Sequence, residues 1–149
     1  MRERFGNSTS VAHGNNIAYV AVVRPDCGIE KDDLVRLARQ GAALFPGNER
    51  LLGAALVRAG QYEAAIEQFD KSNEKYSRKG WDWFFLAMAH HNLGHVVEAR
   101  QCLTKGKKWI EEADKKALYA DTASTWIAWY ERVEVQHLRA EAEKLTSEK

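Results

Sequence analysis

Leu52-Gly53-Ala54-Ala55-Leu56-Val57-Arg58-Ala59-Gly60-Gln61-Tyr62-Glu63-Ala64-Ala65-Ile66-Glu67-Gln68-Phe69 and Leu86-Ala87-Met88-Ala89-His90-His91-Asn92-Leu93-Gly94-His95-Val96-Val97-Glu98-Ala99-Arg100-Gln101-Cys102-Leu103 read as one pattern written twice. Gly60 and Gly94 stand 34 residues apart, and in that register Leu52 falls on Leu86, Gly53 on Ala87, Ala55 on Ala89, Ala65 on Ala99 and Phe69 on Leu103. Large residues meet large and small meet small. Within each copy apolar residues recur at three and four (Leu52, Ala55, Leu56, Ala59, then Tyr62, Ala65, Ile66, Phe69), the spacing that lines one face of an α-helix. The central glycine is where the first helix ends in a left-handed residue before the chain reverses. Each copy is therefore predicted to be a helical hairpin. Gly53 or Ala87 on the first helix and Ala65 or Ala99 on the second let the two axes approach closely.

The same reading extends outward. Asn15 to Val23 suits a short helix, Arg24-Pro25-Asp26 stops it, and Asp32 or Asp33 opens a second helix carrying Leu34, Leu37, Ala38, Gly41 and Leu44. Phe45-Pro46-Gly47-Asn48 then breaks the chain. Downstream, Ser124 or Thr125 can cap a long helix in which Trp126, Trp129, Tyr130, Val133, His137 and Ala140 share one stripe. The reading is all-α: a flexible segment 1–14, then one domain over 15–149 with a degenerate hairpin at 15–45, repeats at 47–79 and 80–113, and a capping helix at 122–146. The stretch Trp109 to Asp121 has no assigned conformation, because Trp83 to Trp126 spans nine residues more than one repeat.

In family register the second copy reads Trp83-x2-Leu86-Ala87-x2-His90 followed by Ala99-x3-Leu103, and the first reads Leu52-Gly53-x2-Leu56 followed by Ala65-x3-Phe69. This resembles the tetratricopeptide (TPR) repeat. The chain departs from the signature where Glu49 takes the tryptophan slot of the first copy, where His90 replaces tyrosine, and where neither copy ends in proline. The run Trp81 to His91, continued through Gly94-His95 and Glu98-Ala99-Arg100, is also similar to the ends of large bacterial TPR proteins, some carrying a signalling kinase. The resemblance implies a right-handed solenoid of about three hairpins with a terminal cap. It also implies a scaffold or adaptor that binds a protein or peptide on its concave face, without catalysis.

On that face the resemblance places Trp81, Phe84, Met88, His91 and Asn92 and, one copy earlier, Gly47, Arg50, Ala54, Val57 and Arg58. Aromatic, thioether, arginine and amide groups together suit a segment with apolar anchors and an acidic group. The competing reading buries Trp81 and Phe84 as core, against the preceding repeat or the C-terminal helix. Two structural alternatives for the whole chain are a terminal spacer of a larger signalling protein and self-association through the Trp126, Trp129 and Tyr130 stripe.

His90, His91 and His95 with Glu98 are the one cluster of metal-ligand type, and His91 with His95 has the i, i+4 spacing of two imidazoles on one helical face. Gly94 interrupts that helix, the pattern is not HExxH, and no third ligand is evident. The expectation is therefore no metal and no cofactor, with His90 between the helices and His91 and His95 facing solvent; a metal-dependent activity is the remote alternative. Lys105, Lys107, Lys108, Lys115 and Lys116 surround Trp109, but Glu111, Glu112 and Asp114 interrupt them, which argues against a nucleic-acid surface.

Composition agrees. The 149 residues are 45% hydrophobic and 29% charged with two prolines, which suits a folded chain. A net charge of +1 supplies no field for nucleic acid or anionic lipid. The longest uninterrupted apolar run, Ile17 to Val23, is far shorter than the roughly 20 residues of a membrane span. No phosphate loop or GxSxG elbow is present, so no enzyme class has a motif behind it. Cys27 and Cys102 belong to no CxxC pair. The start carries no secretory pattern, and the expected location is the cytoplasm.

Overall fold

The computed structural model describes residues 11–24, 26–45, 47–75, 80–119 and 125–147. These residues form helices and no strand: α1 (Val11–Val23), α2 (Lys31–Leu44), α3 (Glu49–Ala59), α4 (Tyr62–Lys75), α5 (Gly80–Asn92), α6 (Val96–Tyr119) and α7 (Thr125–Ser147). The chain divides into two compact units, Met1–Ser77 and Arg78–Lys149. Of the segment expected to be flexible, residues 1–10 lie outside the described residues, and α1 begins at Val11, four residues before the expected start.

The first unit holds α1 to α4. Here α1 packs on α2 and on α3, α2 packs on α3, and α3 packs on α4. Leu34, Val35, Leu37, Ala38 and Gly41 form the buried stripe of α2, at the three-and-four spacing that gives a helix one apolar face. Asp32 and Asp33 lie in its first turn, where carboxylates complement the positive end of the helix. Small residues let the axes close: a β-carbon on Gly14 would meet Leu37 Cδ2 at 2.9 Å, and one on Gly41 would collide with the Asn15 carboxamide. The Asn15 oxygen accepts a hydrogen bond from Asn48 Nδ2 at 2.9 Å, which ties α1 to the turn before α3. Between α3 and α4, Phe69 is 1% exposed and its ring lies 3.0 Å from where a β-carbon on Gly53 would stand. Full burial of such a side chain contributes about 1.5–3 kcal/mol, so these contacts outweigh any surface ion pair in the unit.

The second unit holds α5 to α7, with α5 packed on both α6 and α7 and α6 packed on α7. Covered by two neighbours, α5 is buried nearly all round: Gly80, Asp82 and every residue from Phe84 to Ala89 are buried. Its sequence is correspondingly apolar on all sides. The Phe84 ring occupies the space beside Gly106, and the Trp109 ring occupies the space where Gly80 would carry a β-carbon. Trp109 to Tyr119, unassigned from sequence, continues α6: that helix has 24 residues against 14 in α4, which absorbs the nine-residue excess. Among the described side chains of α7, Val135, Leu138 and Ala142 are buried. The stripe expected there is corrected in its described part, since Val133, His137 and Ala140 are exposed. The side chains of Trp126, Trp129 and Tyr130, and residue Ser124, lie outside what is described.

The two hairpin turns match bond for bond. Gly60 has φ +82° and donates to Val57 O at 3.0 Å, while Gln61 donates to Leu56 O at 2.9 Å. Gly94 has φ +78° and donates to His91 O at 3.0 Å, while His95 donates to His90 O at 2.8 Å. Each pair is the 5→2 and 6→1 bonding of a Schellman turn, which satisfies carbonyls that the helix end leaves without a partner. The next helix starts at once in both, because Ala65 donates to Gln61 O and Ala99 to His95 O, each at 3.0 Å.

Candidate functional site

The residues assigned from sequence to a binding face separate by burial. In the first unit Arg50 and Val57 are 7% and 6% exposed, and Ala54 is fully buried. Arg58 is half-buried, and its Nε donates to Val22 O at 2.7 Å, so the guanidinium caps a carbonyl in the last turn of α1. In the second unit Phe84 is fully buried and Met88 is 3% exposed. Trp81 is half-buried and meets the Phe85 ring edge-on at 5.8 Å between centroids. His91 is half-buried, and exposed Asn92 donates from Nδ2 to Met88 O at 2.8 Å. An accessible face therefore does not include Phe84, Met88 or Val57. Helical periodicity marks them as apolar, and packing decides that they are interior: the Phe84 ring lies against Gly106 of α6.

Described residues form concavities on the second helices instead. In the first unit Asp32, Val35, Arg36, Arg39, Gln40 and Ala43 of α2, with Gln61 ahead of α4, line a concavity of about 500 Å³. Arg36 pairs with Asp33 at 3.3 Å across one helical turn, with both side chains well exposed. Arg39 and Gln40 are exposed, and Val35 gives the concavity an apolar floor. The sequence pattern points to the first helices and not to this place; the usable signal is Arg36, Arg39 and Gln40 on the polar side of α2. In the second unit Val97, Arg100, Gln101, Thr104 and Lys105 border a shallower concavity of about 420 Å³ on α6. Val97 is 63% exposed there.

Three lysines of the cluster have local partners. Lys105 Nζ stands 5.0 Å from the Trp83 ring centroid, Lys107 pairs with Glu143 at 2.7 Å, and Lys108 faces Glu112 at 3.9 Å. Lys107 and then Arg139 hold the Glu143 carboxyl below the usual glutamate range against the opposing effect of burial. The histidines are arranged differently from their spacing. His90 and His95, not His91 and His95, come together, with Nδ1 atoms 3.4 Å apart and ring centroids 5.6 Å apart. The reason is the turn: Gly94 in the left-handed region swings His95 back over His90. Among the described residues no group of three or more metal-ligand side chains gathers.

Both cysteines are free thiols. No helix among the described residues is long and apolar enough to cross a membrane. Searches of protein-family models, curated proteins and solved structures return no match for this chain.

Proposed function

We propose that this chain is a non-catalytic protein-interaction module of the helical-hairpin, TPR-like kind, a short right-handed solenoid that acts in the cytoplasm as a scaffold or adaptor. The observation that carries the reading is the duplicated turn. Two hairpins whose left-handed glycines, four turn hydrogen bonds and following helix starts recur at 34 residues support a repeat module. Such modules bury each hairpin on its neighbours and leave long helical faces to partners.

The partner is a protein segment bearing acidic side chains, and its place is the α2 concavity. What supports this is charge and shape: two exposed guanidiniums and two carboxamides stand around an apolar floor, and guanidinium pairs with carboxylate in a bidentate fork. Binding of an acidic peptide library by wild type, by Arg36→Glu plus Arg39→Glu, and by Trp81→Ala plus Asn92→Ala tests it. The arginine variant loses binding and the first-helix variant keeps it. Equal binding by all three rejects the module's assigned surface, and absence of binding by wild type rejects the interaction reading.

A second reading is favoured by exposed Val133 on α7, which continues the stripe of Trp126, Trp129 and Tyr130: self-association through the C-terminal helix. Sedimentation across a concentration series decides it, because a monomer at every concentration removes it.

A further inference from the structure

We propose that the exposed side of α6 is a second docking surface, and that it takes an amphipathic helix of a partner protein with carboxylates flanking its apolar edge. The surface belongs to the second unit and stands independently of the α2 concavity. Val97, Arg100, Gln101, Thr104 and Lys105 border a concavity of about 420 Å³ there. They recur at i, i+3, i+4, i+7 and i+8, the spacing that lines one side of a helix and forms the ridge against which a second helix packs. The core contacts of α6 use other positions, since Ala99, Cys102, Gly106 and Ile110 are the buried ones.

Two features set this side apart from an ordinary solvated face. It opens on Val96 and Val97, 40% and 63% exposed, where a solvent-facing helix start carries polar groups. It is also basic without compensation: among the described residues no carboxylate borders the concavity, and the exposed Arg100 guanidinium pairs with none. Lys105 Nζ is held 5.0 Å from the Trp83 ring centroid, which fixes a second positive charge at the edge of the face. The Thr104 hydroxyl bonds its own helix, donating to Arg100 O at 2.9 Å.

The repeat does not require this chemistry. Thirty-four residues earlier, α4 carries Glu63, Ile66, Glu67, Asp70 and Lys71 at the positions of Val97, Arg100, Gln101, Thr104 and Lys105. There Glu67 and Lys71 neutralise one another at 2.7 Å. In α6 the corresponding side has lost its acids and gained an exposed valine and an arginine. An incoming helix that seats a leucine-sized side chain against Val97 brings its flanking carboxylates to Arg100 and Lys105. Charge complementarity of this kind selects the partner, and the valines supply the apolar contact.

The probe is a fluorescein-labelled peptide of leucine and glutamate patterned as an amphipathic helix, followed by anisotropy and by backbone amide shifts. The full chain carrying Arg36→Glu plus Arg39→Glu, in which the α2 surface is charge-reversed, binds it, and the amides of Val97, Arg100, Gln101 and Thr104 move. Adding Arg100→Glu plus Lys105→Glu, both at exposed positions, weakens binding by about tenfold or more, and circular dichroism verifies that the helices remain. Val97→Asp weakens it as well. Binding by wild type that disappears in Arg36→Glu plus Arg39→Glu overturns this surface while upholding the α2 concavity. Binding undiminished by Arg100→Glu plus Lys105→Glu, or no binding by wild type, also overturns it. Equal binding of a peptide with every leucine replaced by serine reduces the face to a general polyanion attractor and rejects the helix. A concentration-dependent dimer that Arg100→Glu plus Lys105→Glu dissolves assigns the face to a second copy and rejects the partner helix.

Discussion

The ring of Phe84 lies 2.8 Å from the point where a β-carbon on Gly106 would stand. Helix α6 can pass this close to α5 because position 106 carries no side chain. Phe84 is fully buried and has nowhere to retreat. Gly106→Ala gains about 1 kcal/mol of helix propensity and meets overpacking of about 1–3 kcal/mol, so the expected net effect is destabilisation of the second unit by up to about 2 kcal/mol. All five tryptophans of the chain lie at residue 81 or later, so tryptophan fluorescence in denaturant reports this unit directly. A midpoint that rises on substitution contradicts the packing described.

Gly60 and Gly94 pose a purely conformational test. A β-carbon on Gly94 would meet nothing within 4 Å, and one on Gly60 would meet only the Tyr62 hydroxyl at 4.0 Å. The cost of alanine at either is therefore the left-handed backbone alone, about 1–2 kcal/mol. Gly60→Ala and Gly94→Ala should lose similar amounts, and asparagine should lose less at both. Amide hydrogen exchange measured separately in α3–α4 and α5–α6 checks this. A large loss at one glycine and none at the other breaks the equivalence of the turns.

Ser72 is 2% exposed, and among the described residues its hydroxyl has no hydrogen-bond partner. A buried hydroxyl left unmatched opposes folding, so Ser72→Ala should be neutral or stabilising by up to about 1 kcal/mol. Slower amide exchange in α4 is the expected sign. Faster exchange shows that the hydroxyl has a partner in solution.

Glu143 receives both Lys107 at 2.7 Å and Arg139 at 3.1 Å, chiefly through the Lys107 hydrogen bond, and its carboxyl titrates lower than in the unfolded chain. A depressed folded value means the contribution is complete above the usual glutamate range and disappears as pH falls through the folded value. All three side chains are more than a third exposed, so the contribution is the ~0.2–1 kcal/mol of a surface pair. Wild type should exceed Glu143→Gln in stability at neutral pH and converge with it as pH falls through the folded carboxyl's value. A difference that persists at low pH assigns the effect to packing instead of charge.

The legible part of the fold was local. Gly60 and Gly94 announced their turns, and Gly53, Ala65, Ala87 and Ala99 announced close helix approach, since Gly53 abuts Phe69 and the three alanines are buried. The site was less legible. Periodicity put Phe84 and Met88 on a common face, but whether that face meets solvent depends on tertiary packing, such as the close passage of α6 at Gly106 beside Phe84. His91 and His95 share helical spacing on paper, yet the pair that meets is His90 and His95, because the intervening glycine leaves the helical region.

The two hairpin turns and their 34-residue recurrence were settled by sequence alone, because each depends on φ/ψ preferences and on side-chain spacing within a few turns. Which apolar residues are interior, which guanidinium is spent on a helix end as Arg58 is on Val22, and which face of α7 is covered were decided only by tertiary packing. The physical reason is that burial is a property of neighbours, and a helix with two neighbours and a helix with one can carry the same apolar spacing.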